Sequence, residues 1–157
     1  MIEVEIDGAV ARITLNAPAK RNALDERALI DLSAAYDEAE AAGVRALVLS
    51  GAGPAFCAGR DIAGVDPRDD DVQGYLGGLV TPLLRKMSAF PAPTFAAAHG
   101  ACLGVGLGLL IATDVVYVAD SARIGSPFAA LGATLDSGGH ALFFERPVAD
   151  PAEARRT

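Results

Sequence analysis

The chain opens on an alternation of apolar and polar residues, Ile2-Glu3-Val4-Glu5-Ile6. Asp7-Gly8 interrupts it, and it resumes over Ala9-Val10-Ala11-Arg12-Ile13-Thr14-Leu15. A period of two on either side of a turn dipeptide predicts a β-hairpin. The period then lengthens. Ala28, Leu29, Leu32, Ala35, Tyr36 and Ala39 recur at helical spacing behind Asp25, a residue type suited to an N-cap, and Gly43 supplies the stop. This predicts a helix from 26 to about 42. An apolar run over 44–50 reads as a buried strand, followed by the turn Gly51-Ala52-Gly53-Pro54. Residues 66–71 are acidic and contain Pro67, which reads as a solvated mobile loop. A helix is predicted over 72–88, broken before Pro91-Ala92-Pro93. The remaining elements are a strand at 94–98, a helix at 105–112, a strand at 115–119 and a short strand at 123–125. Strands alternating with helices, without a repeat of fixed period, indicate a layered α/β domain.

Composition narrows the class without naming a function. A length of 157 residues, 52% hydrophobic and 21% charged, suits one globular domain. A net charge of −7 argues against a nucleic-acid partner or an anionic membrane surface. The longest uncharged apolar stretch, 100–113, is too short and glycine-rich to cross a bilayer, and no secretory leader pattern is present, so a cytoplasmic location is expected. Cys57 and Cys102 have no zinc-type spacing and read as buried reduced thiols rather than a disulfide.

Two glycine-bearing turns carry the chemistry. Phe56-Cys57-Ala58-Gly59-Arg60-Asp61-Ile62 follows one apolar strand, and His99-Gly100-Ala101-Cys102-Leu103-Gly104-Val105-Gly106 follows another and leads into a helix. A strand, a glycine turn and a helix start leave backbone N–H groups without intrahelical partners. Two such turns converging on one point would form a two-donor hole for a developing oxyanion. A nucleotide reading fails. Gly104-Val105-Gly106-Leu107-Gly108 has Leu109 where the dinucleotide fingerprint needs its third glycine, and no G-K-[ST] occurs. No cluster has metal-ligand spacing, and stabilisation by N–H groups needs no metal.

Leu15-Asn16-Ala17-Pro18 with Arg21-Asn22-Ala23-Leu24, the first glycine turn, and the second turn running on to Ala112-Thr113-Asp114 together resemble the crotonase (enoyl-CoA hydratase/isomerase) superfamily. The match runs in register to about Phe144. It implies a ββα-superhelix, with a core domain over 1–144. Residues 145–157 would be a remnant of a C-terminal helical region that is otherwise incomplete. It implies an acyl-CoA thioester as substrate, coenzyme A present only as part of that substrate, and a homotrimer or hexamer. The positions matching the oxyanion donors are Arg60 and Val105, where the backbone donates and side-chain identity matters little. Substrate and CoA contacts would fall on Lys20, Arg21, Ala23, Ala58, Gly59, Asp61, Ile62, Gly106 and Phe128. Lys20 and Arg21 form a basic pair suited to CoA phosphates, with two solvated loop charges as the alternative.

The family's hydratases add water with two glutamates. The matching positions here are Gly108 and Phe128, neither of which transfers a proton. Asp136 stands where several isomerases of the superfamily, including the type acting on ring-derived enoyl-CoA esters in phenylacetate breakdown, carry an acid/base aspartate. Its alternative reading is a solvated or helix-capping residue. A carboxylate among Phe128, Leu131 and Leu135 would have a raised pKa, closer to that of the substrate acid. His140, one helical turn beyond Asp136, reads as a surface or interface residue and His99 as support for its turn. Asp61 is expected to cap a helix after the first turn, and Asp114 to be structural. The expected activity is double-bond isomerisation of an enoyl-CoA. Hydration, other thioester-enolate chemistry and non-catalytic CoA-ester binding are the alternatives.

Overall fold

The computed structural model describes residues 1–66 and 68–127. The predicted hairpin is β1 (Ile2–Asp7) against β2 (Val10–Leu15), antiparallel with Asp7 opposite Val10, and Gly8 takes the left-handed φ of +57° that the turn requires. Every later strand of the main sheet is parallel. β2 pairs with β3 (Ala46–Gly51), β3 with β4 (Thr94–Ala98) and β4 with β6 (Val115–Val118), giving the order β1-β2-β3-β4-β6. Helical crossovers separate these strands, as parallel pairing demands. A second, two-stranded parallel sheet joins β5 (Ala101–Leu103) to β7 (Arg123–Gly125).

The first crossover is α1 (Glu26–Ala41). The Asp25 side chain accepts from the Ala28 N–H at 2.8 Å, and Gly43 at φ +64° follows its end. Its buried face is the one the periodicity marks: Ala28, Leu29, Leu32, Ala35, Tyr36 and Ala39. These side chains pack with Ile13, Leu15, Leu47 and Leu49 in one hydrophobic core. Tyr36 meets Phe90 edge-on at 5.6 Å. Among the described residues its hydroxyl is the buried side-chain polar atom without a hydrogen-bond partner, and burial pushes its pKa up.

The second crossover departs from expectation in form. Residues predicted as one helix over 72–88 divide into a π-helical segment (Gly74–Val80) and α2 (Thr81–Ser88). The Thr81 N–H bonds to the Leu76 carbonyl, one residue further back than in an α-helix. Pro82 donates nothing, so the change of register coincides with a missing donor. On α2, Lys86 reaches the Ser33 hydroxyl and Asp37 at 2.7 Å, tying this crossover to α1.

β5 was not expected, since 99–106 reads as a turn. Gly100, at φ +53°, brings the chain so close to Pro54 that a Cβ would lie 2.0 Å from its carbonyl oxygen. That approach sets the first glycine turn beside residues 101–103, which then pair. The predicted helix at 105–112 is α3 (Val105–Ile111). Among the described residues no helix is long and apolar enough to cross a membrane. The expected boundary at 144 and the segment 145–157 lie outside the described residues.

Candidate active site

The first glycine turn lies flat between two neighbours. On one side the Ala58 N–H donates to the Arg21 carbonyl (3.0 Å), the Leu24 N–H to the Gly59 carbonyl (2.8 Å), and the Asp61 N–H to the Leu24 carbonyl (2.9 Å). On the other, the Phe56 N–H donates to His99 (2.8 Å), the Cys57 N–H to Ala101 (2.9 Å), and the Leu103 N–H to Cys57 (3.0 Å). The loop bearing Arg21 is held by Asn22, which is fully buried. Its Nδ2 donates to the Ala52 and Ala55 carbonyls at 2.9 and 2.8 Å, and its Oδ1 accepts from the Ala17 N–H at 2.8 Å. The sequence alone gives Asn22 no structural role. A short polar side chain at a left-handed φ of +57° is nonetheless the local signal of such a brace.

This ladder fixes where the Arg60 N–H points. All described peptides are trans, so the Gly59 carbonyl and the Arg60 N–H point in opposite directions within their shared plane. The carbonyl faces Leu24, hence the N–H faces away from the 21–24 segment. Gly59 itself, at φ +102°, has no room for a side chain. A Cβ there would lie 2.9 Å from the Leu103 carbonyl oxygen and 3.8 Å from the Val105 nitrogen.

The second turn supplies Val105 as the first residue of α3, after Gly104 at φ +54° and ψ −119°. Gly106 comes next because a Cβ would stand 2.5 Å from the Cys57 carbonyl oxygen. Neither the Arg60 nor the Val105 N–H finds an acceptor among the described residues. The two glycine turns thus meet, the first presenting the open Arg60 N–H and the second the open Val105 N–H. Gly59 and Gly106 lie at this contact, Ala58 precedes Gly59 and is half-buried, Ala23 is buried, and Ile62 is 70% exposed.

The charged residues are more committed than their spacing suggests. Lys20 Nζ binds Asp61 (2.9 Å) and Asp25 (3.1 Å). The bond to Asp61 is the main reason its pKa is raised, and in return Lys20 lowers that of Asp61. Asp25 is lowered first by the Ala28 N–H and then by Lys20. Asp61 does not cap a helix. Its Oδ1 accepts from the Ala63 N–H at 3.1 Å in a turn, and the next helix begins only at residue 72. Arg21 is exposed.

The Arg60 side chain is also engaged. Its guanidinium grips Asp70 through two bonds of 2.8 and 2.5 Å and lies 4.2 Å over the centre of the Tyr75 ring. The acidic stretch, expected to be a solvated mobile loop, is therefore anchored near its end, at Asp70, to the first glycine turn. His99 Nε2 lies 3.0 Å from the Gly53 carbonyl, and Asp114 accepts from both the backbone and the hydroxyl of Thr94, so both serve structure as expected. The cysteines are unpaired by disulfide, and burial pushes the Cys57 thiol up to about 12. Gly108 lies buried within α3. Among the described residues no group of His, Cys, Asp or Glu is arranged to hold a metal. Phe128, Asp136 and His140 lie outside the described residues.

The sequence model of the enoyl-CoA hydratase/isomerase family matches residues 5–154. A Rhodobacter capsulatus protein named probable enoyl-CoA hydratase is 37% identical over 138 residues, 88% of this chain and 53% of that protein. Among solved structures, Pseudomonas aeruginosa AtuE superposes with a TM-score of 0.83 at 34% identity, over 99% of this chain and 60% of its own. An enoyl-CoA hydratase/carnithine racemase of Magnetospirillum magneticum gives 0.80 at 33% identity, over 98% and 58%. The chain thus spans between about half and three fifths of the length of these relatives.

Proposed function

The chain belongs to the enoyl-CoA hydratase/isomerase family, and on that footing we propose that it binds an enoyl-CoA thioester and shifts its double bond through an enolate. The thioester oxygen lies between the N–H groups of Arg60 and Val105, and the negative charge develops there. One observation carries this reading: two braced glycine turns meet, and the Arg60 and Val105 N–H groups there have no acceptor among the described residues. Preorganised donors of this kind are worth about 2.7–4 kcal/mol each to a transition state. Asp136 is the base. It removes a proton from the carbon beside the thioester and returns it two carbons further along, while the hole holds the dienolate. Ala58, Gly59, Asp61, Ile62 and Gly106 contact the ligand. Arg21 meets the CoA phosphates, and Lys20 joins it only by leaving its two carboxylates.

Isomerisation is favoured over hydration because Gly108 and Phe128 bring no carboxylate to the two positions where water addition needs one. The second reading, hydration, is favoured by the name of the Rhodobacter relative. The products separate them, since hydration removes the double bond and isomerisation keeps it.

Val105→Pro tests the hole. Val105 is the first residue of α3, where proline suits the helix; it puts the ring Cδ in place of the N–H in question and the ring in place of the buried valine side chain. Turnover is expected to fall by roughly 10²–10³-fold, with CoA-ester affinity and circular dichroism retained. An unchanged rate overturns the assignment. A wild-type protein that binds enoyl-CoA esters without converting any of them belongs instead to the non-catalytic alternative.

A further inference from the structure

Resting on the thioester reading above, we propose that Asp70 and Tyr75 are positioning residues that hold the Arg60 N–H on its target through the side chain of Arg60 itself. Three observations combine. The Asp70 carboxylate meets the guanidinium in a two-bond fork, and the side chains of the pair are only 20% and 14% exposed. The Tyr75 ring supports the same guanidinium from below at 4.2 Å. The Tyr75 hydroxyl then donates to the Leu24 carbonyl at 2.8 Å, the very oxygen that accepts from the Asp61 N–H at 2.9 Å.

These contacts close a ring around one residue. From Arg60 the backbone passes to Asp61, across a hydrogen bond to Leu24, through the Tyr75 hydroxyl and ring, and back to the guanidinium. Arg60 is therefore fixed both by its backbone bridge to Leu24 and by its side chain. The loop that leaves the first glycine turn at Asp61 also returns to it at Asp70, ten residues after Arg60. A forked arginine–carboxylate pair fixes orientation as well as distance, so it restrains rotation of the Arg60 Cα in a way a single lysine contact would not. The N–H of a donor that has only to lie at hydrogen-bond distance needs no such restraint. One that must meet a charge appearing only during reaction does. In sequence, position 60 looks free to vary because its backbone does the chemistry. The fold instead uses its side chain as the handle.

The experiment uses the whole chain with Asp70→Asn, Asp70→Glu and Tyr75→Phe. It reads amide hydrogen exchange in the free protein at Asp61 and Leu24, whose bonded N–H groups form the bridge flanking Arg60, and at Leu103 on the other side of the turn. It also reads affinity for an enoyl-CoA ester and exchange of the substrate's α-proton with solvent deuterium. In Asp70→Asn the Asp61 and Leu24 amides are expected to exchange faster while the Leu103 amide does not. Proton exchange should fall roughly 10–100-fold with affinity within about twofold, and Asp70→Glu should recover part of the loss. Tyr75→Phe keeps the ring and should show the same pattern more weakly. Unchanged Asp61 and Leu24 protection in Asp70→Asn overturns the proposal, as does equal acceleration at Asp61, Leu24 and Leu103 with parallel loss of affinity and melting temperature. If the wild type binds no enoyl-CoA ester, the thioester reading fails, and the amide data still decide whether Asp70 and Tyr75 hold Arg60.

Discussion

Lys20 sits between Asp25 and Asp61 at 3.1 and 2.9 Å, and the signs of the three pKa shifts set a pH window. Asp25 and Asp61 are both lowered from 3.8, so their contribution is present above that value and is lost as pH falls through the lower folded values. Lys20 is raised from 10.5, so its contribution is present below that value and is lost as pH rises through the higher folded one. Lys20→Met is therefore expected to lower stability across the neutral range by about 0.2–1 kcal/mol per pair, these being partly exposed contacts. Variant and wild type should converge in acid, once both carboxylates are protonated in both proteins. Denaturation midpoints at a series of pH values check this, and a constant difference down to the acid end would show that Lys20 acts through packing. Asp25 retains part of its shift in the variant, because the Ala28 N–H is untouched.

At the scale of the element, glycines of two kinds are separated by what surrounds them. Gly106 lies in a seven-residue helix, where glycine is an unfavourable choice, and is required by the Cys57 carbonyl 2.5 Å from its missing Cβ. Gly77 lies in the π-helical segment with nothing within 4 Å of the same position. Gly106→Ala is expected to destabilise by about 1–3 kcal/mol, as crowding in packed interiors does. It should also cut turnover by pushing the Val105 N–H away from the Arg60 turn. Gly77→Ala should stabilise by about 0.5–1 kcal/mol through the lost backbone freedom of glycine in the unfolded chain. Urea midpoints at constant slope read both. A tolerated Gly106→Ala would show that the turns are not in contact in solution.

At the scale of the whole molecule, the main sheet among the described residues ends at β6, where Tyr117 is 66% exposed and Val115 and Val118 are exposed too. Tyr117 stacks against Phe95 of β4 at 6.5 Å, so the apolar surface continues across two strands. A row of exposed apolar side chains on an edge strand is suited to burial by another copy. The homotrimer or hexamer implied by the family resemblance is proposed on that ground. Sedimentation at micromolar concentration should show an oligomer that Tyr117→Glu weakens, and a wild-type monomer would remove the proposal.

The sequence by itself determined the elements whose causes are local. Alternation marks β1 and β2, periodicity and the Asp25 cap mark α1, and Gly8, Gly43 and Gly104 mark points where only a left-handed or otherwise strained backbone lets the chain turn. It also brought out the two glycine turns: at the second an open N–H follows from a strand, a glycine and a helix start, whereas at the first, where no helix begins before residue 72, the backbone bridge to Leu24 turns the Arg60 N–H outward. What only the tertiary structure decided were contacts between residues far apart in the chain. Asn22 braces Ala55, 33 positions away; Lys20 reaches Asp61 across 41; and the Tyr75 hydroxyl reaches Leu24 across 51. β5 and the engagement of Arg60 belong with them. Their physical reason is shared: a hydrogen bond or ion pair acts only over a few ångströms, so which donor meets which acceptor is settled by the parallel crossovers that bring β3, β4 and the loops behind them side by side.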